Sequence, residues 1–324
     1  MKRLISLLLC ALLIVPALAE DAPDFEPIPW DIKVSPNLPN PDCYLPNNGG
    51  YHDDSIDIQI NVTYWTQDLQ QVDAPGEGTT TVMSARVKLT DVSQFRTGFA
   101  NKYPSKQARH VNDMTKRFNA VMGIDGDYCL YHEQGIVVRN GQTLRMRPHK
   151  GRDELIVDEN GDFHLITRTT QAKWDEYIAG GGTVLHAFCF GPVLVVDGVP
   201  LTSLDDVTID NGKAKKAQRM VIGQIGKLEY LILTNEGPES TAPKSVGFDL
   251  VQMANLCVQF GLNNAYNLDG GSSSTIALNN QKITSPSSHK NRMVGDCIWF
   301  ATLVKEETWR EKESVQTVEV EENK

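Results

Sequence analysis

Apolar and polar residues alternate along Ile56-Asp57-Ile58-Gln59-Ile60-Asn61-Val62, the period of two expected of a half-buried strand. Short apolar runs recur through the middle of the chain and are broken by turn dipeptides. Asn140-Gly141, Asn160-Gly161 and Asp197-Gly198 each separate two β-type runs and predict hairpins. Arg219 to Leu233 reads as a fourth hairpin, turning near Gly226. Helical spacing shows at two places. Val111, Met114 and Phe118 share one face of a helix predicted over residues 106–119. Leu250, Met253, Ala254 and Cys257 form the apolar stripe of a second, with Asp249 as its N-cap and Gly261 just past its end. Each helix leads into a short apolar strand, Ala120 to Ile124 and Ala265 to Leu268, and each strand runs into an Asp-Gly turn. The expected architecture is α+β: a mixed β-sheet core with a few flanking helices on one side.

The two ends of the chain read differently. Lys2 and Arg3 precede an apolar run from Leu4 to Val15, and Ala17-Leu18-Ala19 supplies an Ala-x-Ala cleavage site. Residues 1–19 therefore read as a secretory signal peptide, and the mature chain is expected to be exported, periplasmic or secreted, from near Glu20. The run is too short to span a bilayer, and no integral membrane segment is expected in the mature chain. Residues 20–54 hold seven of the 16 prolines and read as an extended arm; 55–304 is the expected main domain; 305–324, with seven glutamates, is an acidic tail.

Over 324 residues the net charge is −10, which argues against a nucleic-acid partner. Beyond Cys10 there are five cysteines, an odd number, and no Cys-x-x-Cys pair. Cys257 and Cys297 sit in apolar patterns and read as core thiols. The seven histidines show no metal-ligand spacing, and no cofactor is expected. Gly-x-Ser-x-Gly, His-Glu-x-x-His and the phosphate-loop pattern are all absent.

Chemistry is concentrated at the two Asp-Gly turns. In Tyr266-Asn267-Leu268-Asp269-Gly270-Gly271-Ser272-Ser273-Ser274-Thr275 a strand delivers one carboxylate, two glycines free the backbone, and hydroxyls follow. Consecutive N–H groups there can form an anion-binding nest, or the segment can be a polar turn. In Gly123-Ile124-Asp125-Gly126-Asp127-Tyr128 two carboxylates flank a glycine, a spacing at which like charges drive one pKa upward. Glu236 is a third candidate carboxylate. Arg219 and Arg292 are candidates for two-pronged contact with phosphate or carboxylate.

Read in order, these segments resemble the phosphodiester glycosidase family. Asn267-Leu268-Asp269-Gly270-Gly271-Ser272-Ser273 is similar to the family's Asn-Leu-Asp-Gly-Gly-Gly-Ser-Ser, and Asp125-Gly126-Asp127-Tyr128 to its Asn-Gly-x-Phe-Phe. Gly191-Pro192-Val193-Leu194, Arg219 to Gly223, Glu236-Gly237 and Arg292 fall in the family's order, so the likeness spans about residues 80–304. Asp125 stands where Asn is usual, Ser272 where a third Gly is, and Glu236 where Asp is. Pro238 and Met293 follow Gly237 and Arg292 where Arg and Pro are common. The resemblance implies hydrolysis of a sugar-1-phosphodiester at the anomeric centre, with a sugar-phosphodiester or phosphoglycan as substrate. It also implies a place in exopolysaccharide or cell-wall polymer metabolism. Asp269 is the first catalytic candidate, with Asp127 and Glu236 as alternatives for the paired acid/base. Asp125, Arg219, Arg292 and the stretch Gly270, Gly271, Ser272 and Ser273 would surround the phosphate. The alternative is a non-catalytic envelope glycan-binding protein with the same fold.

Overall fold

The computed structural model describes residues 36–205, 215–238, 244–284 and 291–312. The signal-peptide segment 1–19, the first part of the proline-rich segment and the end of the acidic tail lie outside the described residues.

Three β-sheets share one interior. The largest has ten strands, with Ile56–Trp65 and Thr80–Leu89 paired over ten residues and continued by Glu229–Asn235, Arg219–Gly226, Asn264–Asn267 and Val193–Val196. A five-stranded sheet is centred on Met122–Asp125, between Ile276–Leu278 and Asp296–Phe300. The other five-stranded sheet carries Gly135–Arg139, Glu154–Val157 and His186–Phe188. The ladders among the described residues run antiparallel, and the turns at Asn140-Gly141, Asn160-Gly161 and Asp197-Gly198 each join the hairpin read from sequence.

Strand alternation then builds the core. Ile58, Val87, Ile222, Ile232 and Tyr266 from the large sheet meet Met122, Ile124, Ile298 and Phe300 from the second. Leu155, Val157 and Phe188 from the third join them in one fully desolvated cluster. The opposite face of each sheet is covered by a helix of its own, where the sequence had suggested helices on one side. α3 (Leu250–Gln259) covers the large sheet, α1 (Val111–Phe118) the second and α2 (Gln171–Ala179) the third.

Local chemistry explains the helix limits. Asp249 caps α3 with a reciprocal capping box to Gln252, and Gly261 follows its end at φ +81°. α1 starts five residues later than its pattern suggests, because Arg109 exchanges two backbone hydrogen bonds with Val294 and is held extended. Residues 44–52, read from sequence as part of a proline-rich arm, join the large sheet through Tyr44–Leu45 and Gly50–His52. In the acidic tail, residues 306–312 are helical.

Candidate active site

The two Asp-Gly turns meet where strand ends of the three sheets converge. Asp269 N–H donates to Gly126 O at 3.2 Å, and Thr275 N–H donates to Asp125 Oδ1 at 2.8 Å. The turn after the large sheet's Asn264–Asn267 is thereby stitched to the turn after Met122–Asp125. Asp296 opens the strand beside Met122–Asp125, and its backbone carbonyl accepts from Gly126 N–H at 3.1 Å. Gly126 is required at this crossing: a Cβ there would lie 2.4 Å from the Asp296 carboxylate.

Asp127 lies at the bottom and is fully buried. Its Oδ1 accepts from Cys129 N–H at 3.1 Å and from Arg139 Nη2 at 2.9 Å, and its Oδ2 accepts from Cys189 N–H at 2.9 Å. Burial alone would raise its pKa, but the Arg139 charge and these donors hold it well below the usual carboxylate range. Arg139 Nη2 also reaches Asp296 Oδ2 at 3.1 Å, and the guanidinium stacks on the Phe188 ring at 4.3 Å. Burial and the Asp127 charge push Asp296 up to about 7, against Arg139.

That shift has a sign. The folded value lies above the ordinary 3.8, so the folded state keeps a proton that the unfolded chain releases. The stabilisation is full below about pH 4 and is lost as pH rises towards about 7, with a slope of at most about 1.4 kcal/mol per pH unit. Asp296→Asn keeps an acceptor for Arg139 and removes the titration. Denaturant unfolding of both proteins across this window should show the wild type losing stability relative to the variant; a constant difference would contradict the assignment.

Asp269 is 7% exposed and accepts from Gly270 N–H at 2.9 Å. Burial raises its pKa, with the Asp127 charge adding to the shift, while the Ser273 hydroxyl, Arg292 and Gly270 N–H oppose it. Arg292 is exposed, its guanidinium 5.0 Å from the Tyr128 ring centroid. Asp125 is wholly buried, with Oδ2 unpartnered, and burial and Asp269 push it well above the carboxylate range. The extra negative charge that Asp125 would bring beside a phosphate is thereby suppressed. Glu236 is 8% exposed and accepts from Gln218 Nε2 at 3.1 Å. Burial pushes the Lys282 ammonium down, and the Glu236 charge opposes that shift.

The glycine-serine turn and Arg219 each find partners within the protein. The nest expected along Gly270, Gly271, Ser272 and Ser273 is filled by the protein itself. Gly270 N–H goes to Asp269, Gly271 N–H to Gln218 O at 2.9 Å and Ser273 N–H to Gly270 O at 3.2 Å, within a 3₁₀ turn. Ser272 stays half-buried in this turn, whereas Ser273 is wholly buried with its hydroxyl against Asp269. Arg219 lies on the α3 side of the large sheet, where Nε donates to Phe248 O at 3.3 Å and Nη2 to Lys215 O at 2.6 Å. Burial lowers it to about 10, against the charge of Asp249. The two turns bring Asp269, Asp127 and Asp125 together with Arg292 nearby; the backbone of Arg219 passes beside Gly270, while its guanidinium reaches Phe248 O and Lys215 O.

Sequence reasoning missed Arg139, Asp296 and Lys282. The signal for the first two was a charge at the end of an otherwise apolar strand, in Ile136-Val137-Val138-Arg139 and Asp296-Cys297-Ile298-Trp299. Ligand atoms of Asp127, Cys129 and Asp296 lie within 4.8 Å of one another, a spacing that could hold a metal ion. The Arg139 guanidinium already bridges the two carboxylates, and burial with these neighbouring charges keeps the Cys129 thiol protonated. The donor set fits the chain's own cation better than a metal. Cys43, Cys129, Cys189, Cys257 and Cys297 all carry free thiols.

The model of the phosphodiester glycosidase family matches residues 118–301, from the end of α1 to the strand bearing Asp296 and enclosing both Asp-Gly turns. The chain belongs to the phosphodiester glycosidase family. The fold agrees. The catalytic domain of zebrafish N-acetylglucosamine-1-phosphodiester alpha-N-acetylglucosaminidase, auto-inhibited by its pro-peptide, is similar at a TM-score of 0.59 and 15% identity. That likeness covers 78% of this chain and 86% of the zebrafish chain. A protein of Synechocystis is similar at a TM-score of 0.51 and 13% identity, over 77% of this chain and 62% of its own. No curated protein matches in sequence. At these identities the structural likeness establishes the phosphodiester glycosidase fold, and the chemistry must be argued from this chain's own residues.

Proposed function

We propose that this protein hydrolyses a sugar-1-phosphodiester by C–O cleavage at the anomeric carbon. The observation that supports this best is the joining of Asp269 to the Asp125-Gly126-Asp127 turn beneath an exposed arginine. A phosphate leaving group needs charge stabilisation more than full protonation, a role this reading gives to exposed Arg292 and half-buried Ser272. Asp269, raised by burial from its ordinary value, is a stronger base than a solvated carboxylate and activates water against C1. Asp127, saturated by three donors, holds the turn in place rather than exchanging protons with substrate. Asp125, kept protonated, offers Oδ2–H as a donor, the role that an Asn amide would fill at this position. Glu236, beside Lys282, is the second candidate acid/base.

Export supports the same reading: the signal-peptide pattern of residues 1–19 sends the enzyme to envelope or extracellular phosphoglycans. Among the described residues no helix is long and apolar enough to cross a membrane. The test is incubation with a nitrophenyl sugar-1-phosphodiester. The expected products are free sugar and nitrophenyl phosphate. Binding of the probe without turnover would replace this reading with that of a non-catalytic glycan-binding protein.

A further inference from the structure

A cleft of about 580 Å³ opens on the far side of the turn that follows Asp127. Its floor is residues Cys129–Tyr131, and Tyr103, Leu144 and Arg147 stand among its walls. Its size suits one or two sugar rings. Two features give it a ligand chemistry. The first is an aromatic path from the candidate reaction centre. Arg292, which acts on Asp269, lies over Tyr128, and Tyr128 stacks on Tyr131 with ring centroids 4.5 Å apart. Tyr131, fixed by its hydroxyl's bond to Lys106 O at 3.2 Å, then forms part of the cleft, with Tyr103 among the other lining residues. Such flat rings take the apolar faces of pyranoses.

The second feature is charge. In a protein of net charge −10 this cleft is lined by Lys106, Arg145 and Arg147 against a single carboxylate, Glu133. Arg145 is consumed by the carbonyls of Cys129, His132, Gly135 and Gln134, so it shapes the floor and contributes only its field. Lys106 and Arg147 are exposed and make no ion pair among the described residues. Their donors therefore remain for an anion.

We infer that this cleft binds the phosphate-bearing glycan chain that continues from the scissile phosphodiester, with sugar rings against Tyr103 and Tyr131 and a neighbouring phosphate between Lys106 and Arg147. The inference rests on the proposed reaction for its direction along the chain, and on the cleft's own lining for its ligand. It makes the preferred substrate an oligomer with repeated phosphodiester links rather than an isolated sugar phosphodiester.

The test is titration of the full chain with a trimer of glucose-1-phosphate repeats and, separately, with neutral maltotriose. The trimer should bind more tightly than maltotriose, and its affinity should fall as salt is raised. The double charge reversal K106E/R147E, confined to exposed side chains, should weaken trimer binding about tenfold or more while leaving maltotriose binding unchanged. Equal affinity for the two sugars, or trimer binding indifferent to K106E/R147E, would overturn the proposal. Turnover of the nitrophenyl probe by the wild-type protein separates the two readings. Turnover without charge-dependent trimer binding removes the cleft's role alone. Charge-dependent binding without turnover leaves the cleft as a glycan site and removes the reaction.

Discussion

Arg139→Met should cost about 3–5 kcal/mol of folding free energy, the expected range for breaking a buried ion pair by deleting one partner. The residue is 4% exposed and supplies the positive charge that bridges two buried carboxylates, Asp127 at 2.9 Å and Asp296 at 3.1 Å. Methionine keeps an unbranched stem against Phe188, so the loss reports charge rather than volume. Without the guanidinium both carboxylates are buried with no counter-charge, and the folded state can tolerate them only by taking up protons. The penalty should therefore be smaller at pH 5 than at pH 8, because protonation removes the uncompensated charge. Denaturant unfolding at the two pH values measures both effects. A loss under about 1 kcal/mol, independent of pH, would show that the bridge contributes little net stability.

The second large effect concerns turnover. Asp269→Asn keeps side-chain shape and an acceptor for Gly270 N–H, and removes the ionisable oxygen that the proposed reaction uses. Turnover should fall by about 10²–10⁴, the usual contribution of a positioned acid/base. Binding of a phosphate-bearing ligand should persist, and should strengthen where repulsion from the Asp269 carboxylate is relieved. Calorimetric titration beside the hydrolysis assay measures both quantities on one protein. Near-normal turnover in Asp269→Asn would reduce Asp269 to a structural turn residue.

How much of this was legible beforehand depends on the range of the interactions involved. The hairpins at Asn140-Gly141, Asn160-Gly161 and Asp197-Gly198 are fixed by the two residues of each turn, and those residues are visible locally. α3 was legible because its cap, its stripe and its terminal glycine lie within thirteen consecutive residues, Asp249 to Gly261. α2 was not: its stripe is only Trp174, Tyr177 and Ile178, a single turn with one fully buried side chain, too short to stand out among polar neighbours. The start of α1 was misplaced because the strand-like pairing of Arg109 comes from Val294, far along the chain.

The site divides in the same way. The turns carrying Asp125, Asp127 and Asp269 stand out as local motifs, and their junction through Gly126 and Thr275 follows from the sheets they terminate. Arg139 and Asp296 become partners of Asp127 only when separate strands meet, and sequence spacing contains no trace of that. The stretch Gly270 to Ser273 shows the same limit. The donors exist as read, but Gln218 O, brought in by the large sheet, and the local 3₁₀ turn satisfy most of them.

The measurement that bears most directly on the central claim is hydrolysis of the nitrophenyl sugar-1-phosphodiester in isotopically labelled water, with mass analysis of the phosphate product. Attack at the anomeric carbon under Asp269 leaves the nitrophenyl phosphate unlabelled and delivers the water oxygen to the sugar. Label in the phosphate would mean P–O cleavage and would contradict the account.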